Sequence, residues 1–385
     1  MASFVALAIT AAATIGMGNV ITTFYALHLG ASSFQVGLIY GAQSFGMMLM
    51  TMPAGFIIAR YGAKRVYLLS SILVMVAYLA VPWLKFWYLL ASARALIGLC
   101  APFRTVSMNS SFLQRMKTLS PNKAGWYRAS QSTGIAVVGP WLGNYLTQNA
   151  SFIVSYGALA VMFAFMAFYS QSFLPEAEQG TAAPENNGIL AQMKLLVRDV
   201  WVFESCITEF VNTSTVSIFS TFIILVVVQQ LHESQEMAIT LLTTQGLSTI
   251  LALFLFGYVF RRLPLSASYI GSLVLGVAAM LLLGTSDSIP LLMVGALCLS
   301  WAAALIHLVN VMRLAGSKVS KSKIASVIYL CGLLGTLTGS VVGGAISKYV
   351  GLQNLYLCWI PVLLVVAAIC YVRALRAKSA ESGMH

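Results

Sequence analysis

Four ionisable side chains stand inside long apolar runs, and their types and spacing bound the chemistry open to this chain. Arg94 lies about eight residues into the run containing ASARALIGLCA, Arg104 ten residues later, Glu209 in ITEFVNTST and His307 in ALIHLVN. A charge at the centre of an apolar helix costs roughly 2.5–3.5 kcal/mol on the insertion scale, so each of these groups needs a cavity or a partner. Arg94 is either a charge facing a cavity or a clamp on backbone carbonyls of a neighbouring helix. Arg104 is about 80° round a helix and about 15 Å along it from Arg94, too far for the two to share one small site. It either takes part in function or snorkels to the interface. Glu209 is the best candidate for a proton carrier, with a fold-locking ion pair to one of the two arginines as the alternative. Glu204 is about 140° round the helix from Glu209, so the two form no carboxylate dyad, and Glu204 reads as interfacial.

Uncharged polar groups accompany these four. Asn212 shares a helical face with Glu209, and Asn310 shares one with His307. His307 reads either as a satisfied core histidine or as a midplane ionisable group. The first apolar run presents Asn19, Thr22, Thr23 and Tyr25; the seventh presents Asn212, Thr213, Ser214 and Thr215; Gln43 and Gln245 stand in the second and eighth. Such residues either line a polar cavity or bond one helix to the next. Met48 and Met52 are one turn apart, a spacing that could hold Cu(I), but adaptable packing is the preferred reading and no metal site is assigned. The six cysteines all lie in apolar runs without CxxC or CxxH spacing, which argues against disulfides and zinc. There is no GxSxG, P-loop, HExxH or dinucleotide fingerprint. The chain therefore reads as no enzyme, with no bound cofactor and no ATP hydrolysis of its own.

The elements that must position these groups are long helices in lipid. Of the 385 residues, 59% are hydrophobic and only 8% charged, against about 25% charged in a typical globular chain. Spanning helices of roughly 20 residues are the only way to bury that much apolar surface with every amide bonded. Twelve apolar runs fall near 4–28, 34–59, 66–84, 87–110, 125–148, 152–173, 201–228, 237–260, 265–285, 289–312, 324–347 and 353–373. The first is too long for a signal-peptide core and reads as a retained helix. The expected organisation is a six-helix unit over 1–173, a linker over 174–200 whose second part (189–200) alternates apolar and charged residues as a helix on the cytoplasmic surface does, and a second six-helix unit with a short tail over 201–385.

The net charge of +12 is a topology signal. Of the 22 Lys and Arg, Lys85 and Lys348 fall on one side, Arg94 and Arg104 lie inside the fourth run, and the remaining 18 fall on the other side. The positive-inside rule then places both termini in the cytoplasm. The basic residues form no stripe and no aromatic platform, so nucleic acid is excluded as a partner, while lipid is required as one.

The two units are one unit written twice. The stretch GFIIARYGAKR (55–65) is echoed by GYVFRR (257–262), and a shift of 202 carries Gln43 onto Gln245, Gly55 onto Gly257 and Arg60 onto Arg262. A shift of 200 carries Gly139 onto Gly339, Gly143 onto Gly343 and Lys123 onto Lys323. Duplicated membrane halves place a solute site at their interface near the bilayer midplane.

Over essentially its whole length the chain resembles the major facilitator superfamily of secondary transporters. Gly55, Arg60, Gly62, Lys64 and Arg65 match the family's signature between helices 2 and 3, although Ala59 stands where the family has an acid. Arg94, Gly98 and Ala101 are similar to its helix-4 motif. GIAVVGPWLGN, with Gly134, Gly139, Pro140 and Gly143, resembles the helix-5 motif of proton-driven antiporters, departing from it at Asn144. The resemblance implies an all-α fold of twelve transmembrane helices in two pseudo-symmetric bundles, a monomer in a plasma (bacterial inner) membrane, and alternating access driven by a proton gradient. It further implies a small organic solute, exported or exchanged. Uptake of an anionic or metal-chelated nutrient and a non-transporting receptor are the alternatives. Glu209, Arg94 and His307 would then couple protons, and Asn19, Thr22, Tyr25, Gln43, Arg104, Asn212, Gln245 and Asn310 would line the cavity. Arg60, Lys64 and Arg65 would form a cytoplasmic latch, and the helix-5 glycines would pack against the opposite half.

Overall fold

The computed structural model describes residues 2–116, 130–171, 200–259, 265–315 and 321–382, and among them the regular structure is all helical. Helix α1 spans Ala2–His28, α2 Ser33–Tyr61, α3 Ala63–Ala80 and α4 Trp87–Met116; α5 is Gly139–Asn149, entered through a π-helical turn at Gly134–Val138, and α6 is Phe152–Ser170. In the second half α7 is Val200–Leu225, closed by a π-helical turn at Val226–Gln230; α8 is Gln235–Val259, α9 Leu265–Thr285, α10 Ile289–Ala315, α11 Lys321–Val350 and α12 Asn354–Ser382. Over their described residues all twelve expected runs are helical, and among the described residues nine helices are long and apolar enough to cross a membrane. Apart from Val200, which opens α7, the linker and its surface helix lie outside the described residues, as does Lys123.

Local chemistry ends the helices where the sequence demands it. Ser32 caps α2 in a reciprocal bond with Gln35, and Ser151 caps α6 by accepting from the Val154 amide. One residue, Gly62, separates α2 from α3 at φ 85°, a backbone that side chains rarely adopt. The outer surface is what lipid allows and water does not: Phe168 is 72% exposed and Phe254 68%.

α1–α6 pack among themselves, as do α7–α12, and the closest seams repeat. A Cβ on Gly139 would stand 2.8 Å from the Met17 amide nitrogen of α1, and one on Gly143 would stand 3.0 Å from the Met17 carbonyl. At the matching places in the second half, a Cβ on Gly339 would stand 2.9 Å from Ser214 Cα, and one on Gly343 would stand 2.8 Å from the Phe222 ring, both in α7. The α5–α1 seam and the α11–α7 seam are therefore one contact made twice. A second pair agrees with it: Gly98 of α4 leaves no room over the Gln43 backbone, and 202 residues on, the Ser300 hydroxyl of α10 donates to the Gln245 carbonyl at 2.8 Å.

These seams correct the expectation that Gly134, Gly139, Pro140 and Gly143 face the opposite half. They face α1 of their own half. Pro140 has no N–H for the Ala136 carbonyl, and its ring would collide with that carbonyl. The backbone widens instead, and the Gly139 amide bonds the Gly134 carbonyl in a π turn. Ala136, within this turn, lies against Gly246 of α8 in the other half.

The halves meet most tightly where α2 crosses α11, at the end of the molecule that carries Gly30. There a Cβ on Gly37 would run into the Ser340 carbonyl and stand 3.2 Å from Gly344 Cα, and the Ser347 hydroxyl donates to Ser33 Oγ at 2.9 Å. At the other end Gly55 has nothing within 4 Å of an added Cβ. Arg60 and Arg65 are exposed there, Arg60 lying over its neighbour Tyr61 at 5.4 Å, and the Lys64 carbonyl accepts from Gln171 at 3.4 Å. The protein is sealed at the Gly30 end by the α2–α11 crossing.

Candidate functional site

Two cavities lie on the Arg60 side of that seal, one lined mainly by each half. The first, of about 330 Å³, lies between α1, α2, α4 and α6, and Tyr329 of α11 reaches it from the other half. Gln43, Tyr78, Arg94, Arg104 and Gln131 give it much of its polar lining, and Ala8, Ile97 and Met108 part of its apolar wall. The second, of about 370 Å³, is lined by Asn212, Ser217, Gln245, Thr249, His307 and Thr336 among others. Neither cavity has an acidic residue in its lining among the described residues.

Arg94 is fully buried on α4, 1% exposed. Its guanidinium donates to Asn19 Oδ1 of α1 at 2.6 Å and lies 5.5 Å from the Tyr40 ring centroid of α2. The Tyr40 hydroxyl in turn donates to the Asn19 carbonyl at 2.9 Å and meets Thr23 Oγ1 at 2.6 Å. Arg94 thus ties three helices together while one side of it faces the cavity. The sequence reading missed Tyr40, although it stands three residues before Gln43 and so on the same face of α2.

Arg104 is nine-tenths buried and does not snorkel; its Cζ lies 4.4 Å from the Phe163 ring centroid of α6. It lines the same cavity as Arg94, which corrects the expectation that the two arginines serve separate places. The cavity runs along α4, and a turn of about 80° keeps both side chains on its wall.

Glu209 is half-buried on α7 and accepts from Asn310 Nδ2 of α10 at 3.2 Å. Asn310 is buried, and its Oδ1 accepts from Thr208 at 2.9 Å. No basic group pairs with Glu209 among the described residues, so it forms no ion pair with Arg94 or Arg104, which sit in the other half. His307 lines the second cavity one turn from Asn310. Glu209 and Asn310 therefore form one bonded polar pair, with His307 one turn away along α10 and Arg94 in the other half. Glu204 is buried, and its Thr208 neighbour bonds its carbonyl.

Thr14 of α1 lines the cavity, but the α1 polar residues the sequence singles out do not. Thr22 is buried 3.5 Å from the Tyr156 hydroxyl, and Tyr25 donates to the carbonyls of Pro82 and Leu84 at 3.0 and 3.1 Å. Asn19, Thr22 and Tyr25 are thus bonding groups within the first half. On α7 the set divides: Asn212 and Thr213 face the second cavity, while Ser214 donates to the Gly335 carbonyl at 2.9 Å and Thr215 accepts from Trp359 at 2.9 Å. Gln43 and Gln245 each line the cavity of their own half, as repeat partners should.

The sequence profile of the Major Facilitator Superfamily matches residues 3–206 and again residues 205–384. A search of curated proteins finds no match. Among solved structures, the nucleoside transporter NupG superposes with a TM-score of 0.82 at 12% identity, over 95% of this chain and 98% of that one. The human organic anion transporter MFSD10 (TETRAN) superposes at 0.65 with 19% identity, over 94% and 96%. The E. coli fucose:proton symporter FucP superposes at 0.61 with 14% identity, over 96% and 97%. At these identities the likeness is one of fold.

Proposed function

The chain belongs to the major facilitator superfamily of secondary transporters, and we propose that it moves a small organic solute by alternating access, coupled to protons through Glu209. The observation that carries this reading is the α2–α11 seal at one end, with a polar cavity from each half on the far side of it. A pair of pseudo-symmetric bundles can exchange such a seal for its counterpart by rocking about the site between them. Glu209 suits the coupling role because it is held by a neutral amide and has no basic partner among the described residues. It can gain and lose a proton without breaking an ion pair.

The positive-inside count favours the Arg60 end as cytoplasmic, which on this reading makes this an inward-facing state; a monomer in a plasma membrane is carried over from the family resemblance. Export or exchange against protons is the direction we favour, on the helix-5 glycine–proline sequence. Domain limits at 173 and 201 belong to the same reading.

The test uses the full chain in liposomes, in a cysteine-replaced background with spin labels at Ser32 and Tyr349, one on each half at the sealed end. Moving from alkaline to acidic buffer is expected to change the distance distribution, and Glu209→Gln to hold the acidic distribution at both. A pH-driven shift that survives in Glu209→Gln rules out coupling through this residue. If no condition moves the labels, alternating access itself is refuted.

A further inference from the structure

Arg104 is held by the fold but not satisfied by it. Its Nε has no hydrogen-bond partner; its Cζ lies 4.4 Å from the Phe163 ring centroid, and Tyr67, Tyr78 and Cys100 stand near its charge without a hydrogen bond to it among the described residues. A guanidinium carries five N–H donors in one plane. Stacking on a phenyl ring covers a face of that plane and leaves the edge free for in-plane, paired hydrogen bonds. That edge adjoins the first cavity, whose described lining contains no carboxylate.

A purely structural role would not need this residue. An apolar side chain of similar length would join α4 to α6 without burying a cation, and such replacements are often neutral or stabilising. Arg94 leaves its Nε unpartnered as well, but its Nη2 donates to Asn19 Oδ1, whereas Arg104 has no such bond among the described residues. Water can satisfy Arg104 while the cavity stands open. When the halves close over the site that water leaves, and the cation then needs a partner that arrives from outside the chain.

We infer that Arg104 is the docking point for the anionic head of the transported solute, which is therefore an organic anion with an apolar body. The head would be a carboxylate or phosphate whose two oxygens lie side by side across the guanidinium edge. The body would rest on the wall formed by Ile97, Ala101 and Met108. The neutral amides and hydroxyls of the second cavity add selectivity for that body without competing for its charge. This inference rests on the transporter reading above and adds the substrate class to it.

The test titrates the full chain in nanodiscs with benzoate, octanoate and phenyl phosphate, each beside an uncharged twin: benzamide, octanamide and benzyl alcohol. Binding is read as a saturable rise in unfolding temperature. At least one anion is expected to bind and its twin not to. Arg104→Gln should weaken that anion at least about tenfold, and Arg104→Lys, which keeps charge but loses the fork, should fall between. Lys348→Gln, which removes a cation at the sealed end, should bind as wild type does. Should Arg104→Gln not fold, the Arg104→Lys titration carries the comparison. Anions that bind no better than their twins, or equally well in the Arg104 variants, overturn the inference. If solutes of the panel still exchange across liposomes in that case, the transporter reading stands without it. If none crosses and the Ser32–Tyr349 distance never changes, the transporter reading fails as well.

Discussion

At the scale of single residues, hydrogen bonding distinguishes two charges that burial does not. Arg94 and Arg104 share a helix and a cavity, but among the described residues only Arg94 has a hydrogen-bond partner, Asn19 Oδ1 at 2.6 Å. Asn19→Ala should leave a fully buried guanidinium short of an acceptor, and a lost bond to a charged group costs about 1–3 kcal/mol. Thermal unfolding in detergent should show a lower midpoint, and an unchanged midpoint would mean that Arg94 is satisfied by other groups. That Arg94 needs a partner was legible in the sequence, because the cost of a charge at that depth is general. Which partner was not legible, since Asn19 lies 75 residues earlier on a helix with several similar polar groups. The same limit explains Tyr25 and Thr22. Periodicity tells which residues share a face, but not whether that face looks into a cavity or into the packed half.

At the scale of helices, the fold depends on glycine seams that let backbones touch. Gly139→Ala would place a methyl 2.8 Å from the Met17 amide, and Gly339→Ala one 2.9 Å from Ser214 Cα, in both cases against backbone that cannot swing aside. Overpacking of this kind costs typically about 1–3 kcal/mol. Both variants should melt lower, and by similar amounts if the two seams are one contact made twice. Gly157→Ala in α6, where nothing stands within 4 Å, is the control and should be neutral or slightly stabilising. The glycine spacing and the 200-residue offset could be read without coordinates. The direction of the seam could not, because it follows from the π turn that Pro140 imposes, and a widened turn rotates every face beyond it.

At the scale of the whole molecule, twelve helices and their duplication were legible, being written in composition and repeat. Which end is sealed was not, because a sequence that supports alternating access must encode both states. The α2–α11 crossing gives a handle on their balance. Gly37→Leu would force a side chain into the Ser340 carbonyl and Gly344, penalising the state sealed at the Gly30 end and leaving its counterpart untouched. A penalty of about 1–3 kcal/mol corresponds to roughly a 5–150-fold change in the ratio of the two states. Labels at Ser32 and Tyr349 should therefore show a larger share of long distances. Ala59→Asp should move the balance the same way by another route, adding a carboxylate to the Arg60–Arg65 turn at the parted end and so favouring closure there. The two causes can be told apart by salt. An exposed charge interaction is screened over a Debye length of about 8 Å at physiological ionic strength and shorter in concentrated salt, so the Ala59→Asp shift should shrink as salt is raised. The Gly37→Leu shift, which is steric, should persist. A Gly37→Leu protein with the wild-type distance distribution would show that the α2–α11 crossing does not hold the sealed state together.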